Sequence, residues 1–175
     1  MKVDPQNLDK YMEDFVDLQV KVHSKKAPML SNIKDKLRRQ INSIKELDAS
    51  QRYELLTRLE SMPRHDKLCH GDFNPSNIIV GKNGKMSIVD WAHATIGNAS
   101  ADAAMSYLLF ALKDQKAADL YLKMFCRKSD IAVQYVQQWL PIVAAAQLTK
   151  DNELEKDFLM LWIINKLLIG ESQTL

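Results

Sequence analysis

Two short apolar runs, Asn-Ile-Ile-Val at 77–80 and Met-Ser-Ile-Val-Asp at 86–90, flank Gly81-Lys82-Asn83-Gly84-Lys85 and mark where this chain must turn back on itself as a β-hairpin. Asn-Gly is the preferred central pair of a two-residue type I′ turn, because both positions take positive φ. Centring the turn on Asn83-Gly84 sets Lys82 against Lys85. The register then places Val80 opposite Ser87, Ile79 opposite Ile88, Ile78 opposite Val89 and Asn77 opposite Asp90. Directly opposed Cβ atoms lie about 4.5–5.5 Å apart, so this register predicts an amide oxygen and a carboxylate meeting at one end of the ribbon.

Elsewhere the apolar residues recur at helical steps. Leu8, Tyr11, Met12, Phe15, Leu18 and Val22 predict an amphipathic helix over 5–24 with Pro5 in its first turn. Ser31 is placed to cap a second helix carrying Ile33, Leu37, Ile41 and Ile44. Asp48 with Gln51 makes a capping box for a third, which ends before Pro63. Helices over 99–113 and 116–127 follow, and Ser129 is placed to cap the next. Pro141 should kink or interrupt that helix, since proline lacks the backbone donor. A last helix over 153–169 should terminate at Gly170. The expected fold is α+β, mainly α: a single domain with a helical bundle around one β-hairpin.

Immediately before the hairpin stands His70-Gly71-Asp72-Phe73-Asn74-Pro75-Ser76-Asn77. An Asp two residues after a His, an Asn five residues further and a second Asp at 90 reproduce the spacing of a protein-kinase catalytic loop and its metal-binding partner. Oxygen ligands suit a hard cation, so Asn77 and Asp90 can hold one Mg2+ between them. Asp72, entering at the same end, can face the ion and an acceptor hydroxyl. Taken singly, Asn77 could start a strand, Asp90 could cap the next segment and Asp72 could close an Asx turn. Together they read as a phosphoryl-transfer site.

At these residues the chain resembles the aminoglycoside phosphotransferase and choline kinase-like family. The resemblance rests on His70-Gly71-Asp72, Asn77, Ile88-Val89-Asp90-Trp91, Gly97 and Asp102, and it is close over 68–110. Upstream, Leu18 and His23 near the end of a helix are similar to the family's first C-lobe helix. The resemblance implies a protein-kinase-like C-terminal lobe over residues 1–175, with Asp72 as catalytic base and Asn77 and Asp90 as ligands of Mg2+ bound with ATP. It further implies transfer of the γ-phosphoryl of ATP to the hydroxyl of a small molecule. His70 is expected as a packed or hydrogen-bonded support of the loop. Asp102 should either accept backbone donors of that loop or cap the helix starting near Ala99. Gly97-Asn98-Ala99-Ser100 departs from the family's Gly-Asp-Pro turn. The five glycines contain no Gly-x-Gly, and no strand-borne Lys precedes the motif. The chain is therefore expected to be a fragment lacking the N-terminal nucleotide lobe, inactive by itself and prone to self-association through the surface that lobe would cover. The reading from another class is a non-catalytic kinase-like binding module.

Composition narrows the partners. A net charge of +2 gives no nucleic-acid signal, and the cluster Lys34, Lys36, Arg38, Arg39 reads as a solvated helix face. The N-terminus lacks the apolar stretch of a signal peptide. The apolar run 158–169 is too short to span a bilayer and should be a buried helix. Two widely spaced cysteines, Cys69 and Cys126, fit reduced thiols and a cytoplasmic location. Trp139 and Trp162 read as core residues. The acids Asp151, Glu153, Glu155 and Asp157 read as complements to a helix dipole and leave the acceptor unspecified.

Overall fold

The structure, a computed structural model, describes residues 7–171. Its helices and strands follow in the order α1 (Leu8–His23), α2 (Ile33–Ser43), α3 (Ala49–Ser61), β1 (Lys67–Cys69), β2 (Ile78–Val80), β3 (Met86–Ile88), β4 (Thr95–Gly97), α4 (Ala99–Ala111), α5 (Gln115–Ser129), α6 (Val133–Leu148) and α7 (Glu153–Glu171). Short 3-10 turns at Pro75–Asn77 and Trp91–His93 precede β2 and follow β3. The mainly helical α+β lobe expected from the sequence is the fold that forms.

Helix α4 is the hub. Every residue from Ala99 to Leu108 is buried, as in a helix enclosed on all sides. Helices α5 and α6 pack on it, α1 packs on α5, and α2 and α7 pack on α6. Trp139 and Tyr121 lie fully inside. So does Phe73, although it belongs to the loop between β1 and β2; its ring lies 4.7 Å from that of Phe15 on α1. Burying such a side chain contributes roughly 1.5–3 kcal/mol, and here it ties the loop to the core.

The hairpin forms, but one residue out of the expected register. Ile78 pairs with Ile88, Ile79 with Ser87 and Val80 with Met86. The turn has three residues, not two: Gly84 N donates to Gly81 O and Gly81 N to Lys85 O, both at 2.9 Å, and Gly84 alone takes positive φ, at 76°. This is a type I turn followed by a left-handed glycine, the usual three-residue hairpin loop. A single positive-φ position suffices for it, so Asn83-Gly84 does not force the two-residue form. Asn77 consequently lies opposite Val89, whose N–H donates to Asn77 O at 2.9 Å, and not opposite Asp90.

Helix ends correct the sequence reading in several places. Helix α1 begins at Leu8, and Pro5 lies outside the described residues. Asn32, not Ser31, caps α2, accepting from Lys34 N at 3.0 Å; Ser31 O is engaged instead by Ile96 N. The Asp48–Gln51 capping box is present on α3. Ser129 closes α5, donating to Phe125 O, and does not open α6, which starts after Ala132 without a side-chain cap. Helix α6 continues through Pro141, and α7 continues past Gly170 to Glu171. Of the apolar run in α7, Leu159 and Ile163 are buried while Leu161 and Ile164 are exposed. That helix is half-buried, with one face on the core. No helix among the described residues is long and apolar enough to cross a membrane.

A second two-stranded sheet goes beyond the hairpin: β1 pairs antiparallel with β4, Lys67 opposite Gly97 and Cys69 opposite Thr95. Three-residue strands show no legible alternation, and the pairing spans a long stretch of chain. Gly97 is required there by space, because a Cβ would overlap Cγ2 of Ile33 at the start of α2. Gly97→Ala should therefore destabilise the chain by about 1–3 kcal/mol through overpacking, read as a lower urea midpoint. An unchanged midpoint would mean that α2 is free to shift away from β4.

Candidate active site

Between β1 and β2 the chain from His70 to Asn77 is held by its own polar atoms. His70 is fully buried and uses both ring nitrogens: Nδ1 accepts from Asp72 N at 3.3 Å, and Nε2 lies 3.1 Å from Val89 O. Since an amide can only donate, Nδ1 is unprotonated and the ring proton sits on Nε2, which donates to Val89 O. One neutral imidazole thereby ties the loop to the end of the hairpin. Trp91 covers His70, with ring centroids 4.7 Å apart. Gly71 takes φ of 79°, and an added Cβ would stand 2.5 Å from His93 O, so this position needs both left-handed freedom and close approach.

Beneath the loop lies Asp102, 1% exposed. It accepts from Gly71 N at 2.6 Å, His70 N at 3.2 Å, His23 Nε2 at 2.9 Å and Gln19 Nε2 at 3.4 Å. Asn98, not Asp102, caps α4, accepting from Ser100 N. Burial favours the protonated form of Asp102, but bonds from His23 and the two loop amides outweigh it and hold the carboxyl below its ordinary value. The chain of contacts continues outward. Tyr121 donates to Gln19 Oε1 at 2.6 Å, Gln19 donates to Ser106 Oγ at 3.0 Å, and Ser106 donates to Phe73 O at 2.7 Å. Helices α1, α4 and α5 thus fix the loop from below. Gln19, Ser106 and Tyr121 carry no motif in the sequence; their only signal is polar residues on apolar helix faces.

Asp72 is half-buried. Its Oδ2 accepts from Asn77 Nδ2 at 3.0 Å, the same nitrogen donating to Asp72 O at 2.9 Å. Asn77 Nδ2 is thereby turned toward Asp72, and Oδ1 is the remaining ligand atom of that amide. Asp90 follows Val89, which is bonded to both Asn77 and His70. It is exposed, takes left-handed φ of 59°, and caps nothing with its side chain. Asn77 and Asp90 therefore share one end of the ribbon with Asp72, offset by one residue from the opposition expected. Among the described residues no three His, Cys, Asp or Glu side chains gather in metal-binding geometry; an amide oxygen with carboxylates is the donor set present here.

Two lysines near this loop were not among the site residues expected from the sequence. Lys150, beyond the end of α6, lies 3.3 Å from Asp72 Oδ1. Lys36 on α2 donates to His93 O at 3.1 Å and stands 3.5 Å from His93 Nδ1. The basic cluster on α2 is accordingly a solvated face only in part: Arg39 is exposed, but the others are engaged. Lys34 is 3% exposed and donates to Glu60 O and Met62 O, while Arg38 pairs at the surface with Asp35 and Glu60. Burial, together with Lys36 and Lys150, holds His93 below its ordinary value. Cys69, against the loop, is buried, and burial with the nearby Asp102 charge pushes its thiol well above the ordinary range, which leaves no nucleophile there.

The sequence matches the model of the Phosphotransferase enzyme family over residues 2–147. No curated protein matches the sequence significantly. Among solved structures, a thermostable mutant of the aminoglycoside phosphotransferase APH(4)-Ia, apo form, superposes with a TM-score of 0.68 at 12% identity, covering 96% of this chain and 68% of that one. The same enzyme as its D198A form, in ternary complex with ADP and hygromycin B, gives 0.67 at 12% identity over 96% and 67%. The choline kinase LicA from Streptococcus pneumoniae gives 0.64 at 14% identity over 98% and 66%. The chain thus spans about two thirds of each of these structures, and identities this low establish a shared fold.

Proposed function

The chain belongs to the phosphotransferase enzyme family, and from that premise we propose that residues 1–175 are the catalytic-loop and acceptor-binding lobe of an ATP-dependent small-molecule kinase. The observation that carries the reading is the junction at the end of the hairpin: Asn77 donates to Asp72, and Val89, bonded to Asn77 and His70, delivers Asp90 beside them. ADP bound to the APH(4)-Ia relative supports a nucleotide as co-substrate. In this reading a nucleotide lobe other than residues 1–175 clamps the ATP phosphates, since these residues contain no Gly-x-Gly loop.

Asp72 accepts the proton of the attacking hydroxyl as the acceptor oxygen bonds to the γ-phosphorus. The bond from that phosphorus to the bridging oxygen breaks, and ADP leaves with the electron pair. Asn77 orients the base by holding its Oδ2 and backbone carbonyl. Asn77 Oδ1 and the Asp90 carboxylate fit a hard divalent cation, and magnesium bound there would neutralise charge on the phosphoryl oxygens. Asp102, touching neither substrate nor ion, positions the loop through Gly71 and His70.

The reading is tested by Asp90→Asn in the protein that carries both lobes. Asparagine tolerates left-handed backbone, and the exposed side chain holds no cap, so folding should be unchanged. The Mg2+ concentration for half-maximal transfer should rise at least about 10–100-fold, the loss that changing even an outer-shell partner of a metal's ligands causes. An unchanged magnesium dependence would remove Asp90 from the site.

A further inference from the structure

Beside the catalytic loop lies a cavity of about 190 Å³, bordered by Gly71, Lys36, His93, Thr95, Gln147 and Lys150. Two residues that border it carry a buried polar atom with no partner among the described residues: Thr95 Oγ1, on a residue 2% exposed, and Gln147 Oε1, on a residue 4% exposed. Buried polar atoms are rarely left unsatisfied, each costing about 1–3 kcal/mol. Two of them in one cavity mark a place where a polar molecule belongs. Gln147 Oε1 can only accept, so that molecule offers a hydroxyl or amine hydrogen there; Thr95 can donate or accept.

Charge decides its class. Lys36 is half-buried and has no carboxylate within ion-pair distance among the described residues; it holds only the His93 carbonyl and ring nitrogen. The carboxylates nearby are engaged: Asp102 by His23 and the loop amides, Asp72 by Lys150 and Asn77, and Glu155 by Gln147 Nε2 and Asn152. Burial and Lys150 push Lys36 below its ordinary value, against Asp102 and Asp72. A bound anion would reverse that cost. A cation would stand between two ammonium groups. The volume is also below the roughly 300–1,000 Å³ typical of pockets for drug-sized ligands.

Resting on the kinase reading above, we propose that this cavity binds the acceptor and that the acceptor is a small polyhydroxylated acid, its acid group on Lys36 and Thr95, one hydroxyl on Gln147 Oε1 and the reacting hydroxyl toward Asp72. Titration of the 175-residue chain with glycerate and gluconate, each against its neutral analogue glycerol or sorbitol, and with choline, tests this without nucleotide. NMR shifts should show at least one acid binding with Kd of about 1 mM or tighter and about tenfold tighter than its neutral analogue, as a charge-assisted hydrogen bond supplies. Lys36→Met should abolish that preference and Lys36→Arg should keep it. Neither acid preferred over its analogue, choline bound more tightly, or a preference that survives Lys36→Met in a folded protein would each overturn the proposal. If the acids bind through Lys36 but the two-lobe protein phosphorylates another hydroxyl instead of them, the acceptor assignment fails and the kinase reading stands; if it phosphorylates no hydroxyl at all, the kinase reading fails and only acid binding in this cavity remains. If neutral or cationic hydroxyls are phosphorylated and acids do not bind, the kinase reading stands and the acid proposal fails.

Discussion

Asp102→Asn should lower the stability of the chain by about 3–5 kcal/mol, the cost of breaking a buried charge and its partners. An amide matches the carboxylate in shape but presents hydrogens to a site that now receives four donors, from Gly71, His70, His23 and Gln19. At least one N–H is then left facing another. Because two of those donors are the backbone of the catalytic loop, the loss should also appear as faster amide exchange at His70 and Gly71. The acid limb of the stability curve should change with it. The folded carboxyl is held below its ordinary value of 3.8, so the unfolded chain binds the proton first as pH falls. Its contribution is present above that value and is lost below about pH 4 as pH falls toward the folded value. Denaturant unfolding of wild type should show that component and Asp102→Asn should lack it. A loss within about 0.5 kcal/mol, typical of surface substitutions, would show that the loop is held by Phe73 and the helices alone.

The sequence made the helices and the existence of the hairpin legible because both rest on local signals: apolar steps of three and four, a capping box at Asp48 and Gln51, and Asn83-Gly84 between two apolar runs. Register was not legible, since the same Asn-Gly serves a two- or a three-residue loop and only the strand ends decide. The pairing of β1 with β4 was invisible for another reason: it joins residues about thirty apart through strands of three residues. Of the candidate site, His70, Asp72, Asn77 and Asp90 stood out through their spacing, and Asp102 through the resemblance to the family. Lys36 and Lys150 did not, because a lysine on an amphipathic helix, or in the turn after one, looks solvated until the cavity it borders is seen. Gln19 and Ser106 were hidden likewise, their role set by what lies across the core.

Asp72→Ala should have the largest effect on activity and a small one on folding. The carboxylate is half-buried and its ion pair is with the partly exposed Lys150, so losing that pair should cost about 1 kcal/mol. Removing a general base from the attacking hydroxyl costs about 10²–10⁴ in rate. The loop should keep its shape, because His70, Phe73 and Asp102 hold it from below without the Asp72 side chain. Asn77 Nδ2 keeps its bond to the Asp72 backbone carbonyl, so that amide stays in place and the magnesium requirement should change less than in Asp90→Asn.

Phosphoryl transfer from ATP by the protein containing both lobes, followed as ADP release with the acceptor that binds this chain, measures the central claim. The expected result is Mg2+-dependent transfer that falls at least about 100-fold in Asp72→Ala, with the variant still folded and still binding the acceptor. Transfer that persists at the wild-type rate in Asp72→Ala would contradict the assignment of this loop as the catalytic centre.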